Sequence, residues 1–461
     1  MFSNVIVMGS RTQCVDNAMP NGGYKRIVAF DSTTFEPATV RWSYEGDTVF
    51  FDADYFIDTE PSKYLLVTDQ QGNVQRINRA NFNSPGEGGI LDYSILVALK
   101  DDMTLSPWGN KYTSGMYPEI PAVDNHGVKQ IISGTESFLA LREDGSIFGW
   151  GWSESGGVIP PDISQRSDIN AAHTYGGAMV LGDNYPYIET WARQNPPPEA
   201  IVSMSDIKNA FINGNGGYIL STAGKVYCWS DLAEENNVPA YISELSDITQ
   251  IYVNDGACVA LRGNGQIVGW GLPEWGGIIP LDIQSLTDID RVINGRRSFV
   301  ALRKNGSVVA WGAASDGGSI PANILERSDI VDVSFCYGYD PAPQPMVSAY
   351  VAICADGSLC AWGGLEQIVN VPATTDVISV SCGYGTCCGL KKDGSVISWG
   401  LNIDQTPVED LLHGVRAVYA GCTSFIALKD DKTIVVWGNI VEGGDMSQIP
   451  ADIQGNVSYY L

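Results

Sequence analysis

Residues 299–312 read FVALRKNGSVVAWG, and this stretch decides the fold. Alternating apolar residues such as Phe299 and Ala301, and then Val308 and Ala310, are typical of half-buried β-strands. Asn305-Gly306 between them supplies the positive φ that a two-residue hairpin turn needs. The stretch therefore predicts a β-hairpin whose second strand ends at Trp311.

The same pattern recurs along the chain. Clear copies begin at residues 138, 258, 299, 350, 387 and 425, and weaker copies begin at residues 95, 178 and 217. Each copy closes on a tryptophan, with gaps of 37 to 51 residues between them: Trp108, Trp150, Trp191, Trp229, Trp270, Trp311, Trp362, Trp399 and Trp437. A period near 40 residues indicates a β-propeller or a solenoid, and the count is nine repeats.

The turns differ between copies. Five copies carry Asp-Gly or Asn-Gly, whereas the first, third and ninth have Asp102-Met103, Asn184-Tyr185 and Asp431-Lys432. Because only glycine adopts positive φ without strain, these three copies are predicted to have looser or different turns. Between hairpins runs a Gly-Gly connector followed by Ile-Pro, which predicts a tight crossing and then an edge strand.

The pattern x-A-L-x-x-(D/N)-G-S-(V/I)-x-x-W-G, followed by a glycine-rich connector, closely resembles the regulator of chromosome condensation repeat in its short, bacterial form. The resemblance covers roughly residues 90 to 461. It implies a bladed β-propeller of seven blades, against the nine counted here. It implies little about function, since that family spans exchange factors, ligase modules, adhesins and bacterial effectors.

Two domains are expected in this all-β chain. Residues 1–88 predict a small β domain with Trp42 in its core, either an immunoglobulin-like sandwich or decayed blades. Residues 89–461 predict the propeller. Its first copy has no preceding strand, and residues 456–461 follow the last hairpin, so this final segment is expected to complete the first blade and close the ring.

Charge and hydropathy bound the partners. The 27 lysines and arginines against 53 aspartates and glutamates give a net charge of −26, which repels phosphate backbones, so nucleic acid is not expected as a partner. No apolar run is long enough to span a membrane, and the first residues do not read as a secretory signal. Synthesis is expected to leave the protein in the cytoplasm, with a dedicated export route still open.

Catalytic and metal-binding motifs are not apparent in the sequence. The ten cysteines include no CxxC pair, and His126, His173 and His413 lie in different repeats, so no metal or cofactor is predicted. Most cysteines are expected to be buried and reduced, and Cys354 and Cys360 are the best placed for a chance bridge. None of the histidines lies beside a serine elbow, so the protein is expected not to be an enzyme.

Residues 336–350 stand out because they insert CYGYDPAPQPMVSAY where other copies have a short turn. Insertions on rigid scaffolds often carry recognition, and this one contains adaptable contact residues and three prolines. The candidate partner-binding residues are therefore Tyr337, Tyr339, Asp340 and Met346. Trp152 and Trp275, which lie in connectors rather than at the periodic position, are secondary candidates.

The leading hypothesis is a non-enzymatic module that binds a protein through loops on one propeller face. The resemblance would make it an adhesin, an effector or a toxin-associated component. One rival is a glycan-binding lectin, which would use exposed aromatic residues with acids and amides. A second rival is a hydrolase whose carboxylates are distant in sequence.

Overall fold

The structure is a computed structural model that describes residues 4–12, 25–83, 95–109, 120, 124–134, 136–213, 216–230, 238–254, 256–339, 346–401 and 412–461. Nearly all regular structure in these ranges is antiparallel β-sheet, which confirms the predicted fold class. No helix within them is long and apolar enough to cross a membrane.

The N-terminal residues form two facing sheets. One has the strand order β1-β2-β5 and the other β4-β3-β6-β7. If β1 to β7 are lettered A, B, C, C′, E, F and G, the sheet A-B-E faces the sheet C′-C-F-G, which is an immunoglobulin-like order. Trp42 is fully buried between the sheets and stacks on Phe56 at 5.6 Å. The strands of this sandwich are β1 (Val5–Met8), β2 (Lys25–Asp31), β3 (Val40–Tyr44), β4 (Phe51–Ala53), β5 (Tyr55–Asp58), β6 (Leu65–Thr68) and β7 (Val74–Ile77).

Nine three-stranded sheets follow in the described residues, one for each predicted copy, so the count from the sequence is right and the expected seven is wrong. We number them blades 1 to 9. Their strands are, in order, β8 (Phe82–Asn83), β9 (Ile95–Leu99), β10 (Leu105–Gly109); β11 (Val128–Ser133), β12 (Ser137–Arg142), β13 (Ile147–Gly151); β14 (Ile169–Thr174), β15 (Ala178–Gly182), β16 (Ile188–Trp191); β17 (Ile207–Asn213), β18 (Gly216–Ser221), β19 (Val226–Ser230); β20 (Ile248–Val253), β21 (Ala257–Arg262), β22 (Ile267–Gly271); β23 (Ile289–Asn294), β24 (Ser298–Arg303), β25 (Val308–Gly312); β26 (Ile330–Tyr339), β27 (Met346–Cys354), β28 (Leu359–Gly363); β29 (Val377–Cys382), β30 (Thr386–Lys391), β31 (Val396–Gly400); and β32 (Val415–Ala420), β33 (Ser424–Lys429), β34 (Ile434–Gly438).

The hairpin turns differ from the predicted two-residue form. In blade 6, Arg303 N donates to Ser307 O and Gly306 N donates to Arg303 O, and of the loop residues only Gly306 has positive φ. This is a three-residue turn closed by a left-handed glycine. Met103 in blade 1 and Lys432 in blade 9 take the same place with φ of 62° and 63°. Their turns were therefore wrongly predicted to be different.

The third blade has the different turn that was predicted. Its hairpin is longer, since Gly182 N donates to Tyr187 O. The peptide bond between Tyr185 and Pro186 is cis. Blade 3 is thus the irregular member that the missing glycine indicated.

Each blade packs on the next through a shared apolar core. The indole of a closing tryptophan also bonds to the connector of the preceding blade: Trp191 Nε1 donates to Gly156 O at 3.0 Å, and Trp311 Nε1 to Gly276 O at 2.9 Å. Trp108 of blade 1 makes the same bond to Gly443 O, after blade 9, at 3.2 Å. Blades 9 and 1 also share one core with the sandwich. The nine sheets therefore form a closed ring.

The first strand of each blade lies nearest the axis of the ring. The first strands of adjacent blades contact each other directly. In a ring of radial sheets, adjacent sheets come this close only near the axis. Their side chains donate to backbone oxygens of an adjacent blade, at 2.7 to 3.0 Å: Asn83 to Ile131, Ser334 to Val380 and Ser381 to Val418 of the next blade, and Asn294 to Val253 of the preceding one. These bonds connect the blades around the axis.

The connectors contain one-turn helices rather than the predicted edge strands. Proline takes the N-cap in five of them, where its missing N–H is no loss, and an isoleucine at the third position of the helix is buried. The six described helices are α1 (Pro161–Ser164), α2 (Glu199–Val202), α3 (Ala240–Ser243), α4 (Leu281–Gln284), α5 (Ala322–Leu325) and α6 (Glu366–Val369). The Ile-Pro pair therefore opens a helical turn that buries one side chain.

The sandwich lies against the face of the ring that carries the hairpin turns, which we call the turn face. Asn78 Nδ2 donates to Asp101 in the turn of blade 1, and Arg79 pairs with Glu143 in the turn of blade 2 at 2.6 Å. On the other side, Gly9 N donates to Arg416 O at the start of β32. Apolar residues of the sandwich also share a core with blade 8, so the sandwich extends over blades 8, 9, 1 and 2.

The C-terminal segment does not complete the first blade, so that prediction is wrong. Tyr460 forms a β-bridge with Ile77 of the sandwich, and the Tyr459 hydroxyl donates to Gly9 O at 2.9 Å. The place expected for it beside β9 is taken by β8, which belongs to the range assigned to the N-terminal domain. A short strand before the first hairpin therefore makes the closing segment unnecessary.

Candidate functional site

The face opposite the turn face is formed by the loops that join the first and second strands of each blade, and we call it the loop face. The starts of the connectors lie on it too. Trp152 N donates to Glu136 O in the loop of blade 2, and Leu272 N donates to Gly256 O in the loop of blade 5. The insertion in residues 336–350 interrupts the same loop in blade 7. The three predicted candidate elements therefore share one face, on different blades.

The insertion lengthens a hairpin instead of forming an irregular loop. In blade 6 the pairing of first and second strands ends at Asn294 with Phe299, which is equivalent to Phe335 with Tyr350. Blade 7 continues for four more pairs, which join residues 336–339 to residues 346–349. We call these eight residues the ribbon. At about 3.4 Å per residue, it extends some 14 Å past the neighbouring hairpins.

The base of the ribbon is held by blade 8. Tyr337 is buried, and its ring meets Tyr384 edge to face at 5.5 Å. Gly385 N donates to Tyr337 O at 2.8 Å, and Gly338 lies against Gly385. Tyr337 thus packs against blade 8, and its contact with a partner stays a prediction. Its burial gives the ribbon a fixed direction.

A buried carboxylate supports the ribbon from the other side. Asp316, in the connector after blade 6, is fully buried and accepts from Arg297 Nη2 at 2.6 Å and from Ser348 Oγ at 3.1 Å. The Ser298 and Tyr350 hydroxyls lie 2.8 Å apart below it, and burial raises the pKa of Tyr350. Because Ser348 belongs to the ribbon, this network connects the ribbon to blade 6.

The other predicted contacts lie at the end of the ribbon. Tyr339 is the last residue of β26, and its side chain lies outside the described residues, as does Asp340 with the tip of residues 340–345. Met346 begins β27, is half-buried against the cluster that contains Phe335, and its carbonyl oxygen accepts from Arg296 Nη1 at 3.3 Å. Of the four predicted residues, the structure therefore describes the side chains of Tyr337 and Met346, and both pack within the propeller.

Trp152 and Trp275 are both half-buried on the loop face. The Arg193 guanidinium lies 5.7 Å from the Trp152 ring and pairs with Glu154, which brings a cation and an anion beside this indole. Trp275 lies over Gly256, where an added Cβ would meet its ring at 2.7 Å. Trp275 therefore packs on its own blade, whereas Trp152 keeps a mixed polar and aromatic surface.

The sequence reasoning missed a row of exposed apolar side chains on successive connectors. Leu281 is 82% exposed and Ile278 66% exposed in the connector after blade 5, and Tyr241 is 60% exposed in the connector before it. The Tyr241 hydroxyl donates to Gly269 O of blade 5 at 3.2 Å, so these connectors adjoin. The sequence contains a signal for this row in residues 276–283, which read GGIIPLDI. Ile279 and Ile283 are enough for packing, so Ile278 and Leu281 are apolar residues that the fold does not bury.

Fold and loops together define a nine-bladed β-propeller whose one face is occupied by its own sandwich and whose other face bears a projecting ribbon. The regulator of chromosome condensation (RCC1) repeat family model matches residues 377–404, which are β29 to β31 of blade 8. The resemblance to this repeat is thereby confirmed in blade 8, and the other blades have the same strand order. Among curated proteins, none matches the chain at a significant level.

Several solved structures are similar at low identity. The ectodomain of the Physcomitrella patens receptor kinase CR4 is 17% identical over 59% of this chain and 74% of that chain, with a TM-score of 0.36. The CRINKLY WD40 ectodomain of Arabidopsis thaliana ACR4 is 16% identical over 69% and 96%, also at 0.36. Prp20p of Saccharomyces cerevisiae, whose structure was described with its binding to Gsp1p and histones, is 14% identical over 76% and 82%, at 0.35.

Proposed function

We propose that the protein is a non-enzymatic recognition module that binds a protein partner on its loop face, with the ribbon of blade 7 as the main contact. One observation carries this proposal: the ribbon continues four residue pairs beyond the hairpins of blades 6 and 8 and is braced from both of those blades. A projecting segment that is held rigid loses little conformational entropy when it binds.

The docking of the sandwich supports the loop face as the binding side. Its contacts with Asp101, Glu143 and Arg416 cover the turn face of blades 9, 1 and 2. On the loop face, Met346 of the ribbon and the pair of Trp152 and Arg193 offer methionine, aromatic and arginine side chains, which are enriched in protein interfaces. The net charge of −26 favours a partner with a basic surface, through long-range attraction.

A role as an adhesin, an effector or a toxin-associated component is the finer form of this proposal. All three would present the loop face to a protein of another cell or of the same assembly. Acting after synthesis in the cytoplasm, such a component would reach its partner by a dedicated export route. The binding chemistry on the loop face would be the same in each case.

The test selects binders first and then maps them. A display library of protein fragments is panned against the full chain, and enriched clones are measured against two variants. In one, residues 340–345 are replaced by Asn-Gly, which keeps the ribbon ladder intact. In the other, Tyr339→Ala removes an aromatic anchor, which typically contributes about 2 kcal/mol, or roughly 30-fold in affinity.

Tyr185→Ala is the matched control, because Tyr185 is an exposed tyrosine in the turn of blade 3. We expect both ribbon variants to weaken the selected clones by at least the factor given above and the control to leave them unchanged. Clones that bind all variants equally would contradict the proposal. So would a glycan array in which the protein binds sugars through the loop face while no fragment is enriched.

A further inference from the structure

Three cysteine side chains meet in a buried space between blades 7 and 8. Their Sγ atoms lie within 4.8 Å of one another, and each side chain is at most 1% exposed: Cys336 on β26, Cys382 on β29 and Cys387 on β30. We propose that these three residues bind one monovalent copper ion, which joins the ribbon of blade 7 to blade 8.

The strand pairing explains why the sulfurs converge. Cys382 and Cys387 lie directly opposite each other, next to the pair in which Gly383 N donates to Thr386 O. They therefore form a non-hydrogen-bonded pair, in which side chains approach most closely, and their Sγ atoms are 2.6 Å apart. Cys336 enters from the first residue of the ribbon, and its Sγ lies 3.3 Å from Gly383 O.

Blade 8 departs from its neighbours at this point. In blades 2, 6, 7 and 9 the residue opposite the closing tryptophan is aromatic and stacks on it, as Phe299 does on Trp311 at 5.5 Å. In blade 8 that residue is Cys387, opposite Trp399. An aromatic side chain would fill this position better than a thiol. The sulfurs of three residues share the space instead.

The donor set selects the metal. Thiolates are soft ligands that favour Cu(I), zinc and iron–sulfur clusters. Structural zinc takes four ligands, and among the described residues no further histidine, cysteine or carboxylate joins these three. The site is also closed to water, which could otherwise supply the fourth. Three sulfurs in a dry space therefore fit monovalent copper best.

The charges nearby are compatible with a buried cation. Lys25 places a positive charge near Cys382. Lys25 comes from the sandwich, and its Nζ donates to Val380 O at 3.4 Å. Two thiolates, one thiol donating to Gly383 O, one copper ion and one ammonium sum to zero charge, which lowers the cost of burial.

Metal–sulfur bonds of about 2.3 Å place the ligands of a three-coordinate ion roughly 4 Å apart. Cys382 and Cys387 must therefore separate when copper enters. Without metal, an oxidant could instead remove two electrons and two protons from this pair and leave a disulfide. The disulfide and the copper site exclude each other, so the experiment distinguishes them.

The full chain, reduced and kept free of oxygen, is titrated with a Cu(I)–acetonitrile salt in competition with bicinchoninate. We expect one equivalent of copper to be retained, a thiolate-to-copper absorption in the ultraviolet, and a higher melting temperature, because binding to the folded state stabilises it. Zinc chloride under the same conditions should be held at least 100-fold more weakly.

Variants locate the site. Cys387→Ala and Cys336→Ser should each lose the retained equivalent. Cys388→Ala is the matched control, since Cys388 is equally buried but faces the core shared with blade 9. Circular dichroism shows whether each variant is folded, and Cys336→Ser keeps the volume of the side chain if Cys387→Ala does not fold. Copper retained by both variants, no copper retained by the wild type, or purified protein lighter by two hydrogens with Cys382 joined to Cys387 would each overturn the proposal.

Discussion

Trp108 Nε1 donates a hydrogen bond to the carbonyl oxygen of Gly443, a residue 335 positions later. The same bond joins Trp191 to Gly156 and Trp362 to Gly317 between consecutive blades. The contact that stacks one blade on the next along the chain thus also joins the last blade to the first. Ring closure here needs no exchanged strand, because the connector after blade 9 docks on blade 1 in the standard way.

Trp108→Phe tests this closure. The change removes the indole N–H and leaves the buried Gly443 oxygen without a donor, which should destabilise the fold by about 1–3 kcal/mol. Trp191→Phe is the matched control, because it removes the same kind of bond between blades 2 and 3, which are consecutive in the chain. Urea unfolding should show similar losses for both. A loss for Trp191→Phe with none for Trp108→Phe would mean that the ring is open between blades 9 and 1.

Tyr459 tests the anchoring of the C-terminal segment in the sandwich. Its side chain is 3% exposed and its hydroxyl bonds to Gly9 O. Tyr459→Ala should cost about 3–5 kcal/mol, as for other large aromatic residues removed from a core. Leu461→Ala, at a half-exposed neighbour, should change stability by less than about 0.5 kcal/mol. Equal, small effects in thermal unfolding would show that the segment is not docked.

His173 predicts a pH dependence of stability. It lies on β14 against Phe211, and burial lowers its pKa from 6.5 to about 4. The unfolded chain therefore binds this proton more readily, and the stability contributed by neutral His173 is complete above pH 6.5 and is lost as the pH falls toward 4. The shift corresponds to at most about 3 kcal/mol.

The difference between His173→Phe and the wild type isolates this contribution from other titrating groups. The variant should gain stability relative to the wild type between pH 6.5 and pH 4, with no further relative gain below pH 4. The measurement is the urea midpoint at several pH values. Parallel curves for the two proteins would show that His173 is exposed to water when folded.

Gly306 tests the turn geometry. With a φ of 79°, Gly306→Ala brings backbone strain, and its new Cβ would lie 2.5 Å from Ser328 O of the following connector. Gly72→Ala meets a similar φ of 84° but open space. Gly72→Ala should lower the free energy of unfolding by about 1 kcal/mol, because it adds backbone strain alone. Gly306→Ala should lower it further, because it adds the contact with Ser328 as well. Equal melting temperatures for the two variants would contradict the tight packing of turn on connector.

The repeated part of the fold could be predicted from sequence because its signals are local. Strand alternation, a turn glycine and a closing tryptophan act within 14 residues, as in residues 299–312, so nine hairpins could be counted. The turns of blades 1 and 9 differ from the expectation because Met103 and Lys432 lie in the left-handed region, where their carbonyl oxygens accept hydrogen bonds from Val128 N and Gly455 N of the segments that follow. Surrounding structure can maintain such a conformation at a modest energetic cost.

Long-range pairing could not be predicted in the same way. β8 has two residues and no pattern of its own, and residues 456–461 pair with Ile77 through a single bridge. Tyr337 resembled a contact residue in the sequence because it lies in the insertion. It is buried by Tyr384 and Gly385, which are some 47 residues away in the chain, so its sequence neighbours do not indicate this packing. The cysteine cluster likewise depends on which residues become neighbours only after blades 7 and 8 stack.

The bonds between Val7 and the Tyr460 hydroxyl join residues that are 453 positions apart. At roughly 5–20 residues per second, a ribosome needs on the order of 20–90 seconds to make the chain between them. During that time the first strand of the sandwich lacks the side chains that cover it, and blade 1 lacks its neighbour. The emerging protein therefore exposes an apolar face of blade 1 and part of the sandwich core for most of its synthesis, and we expect it to depend on chaperones that shield apolar surface.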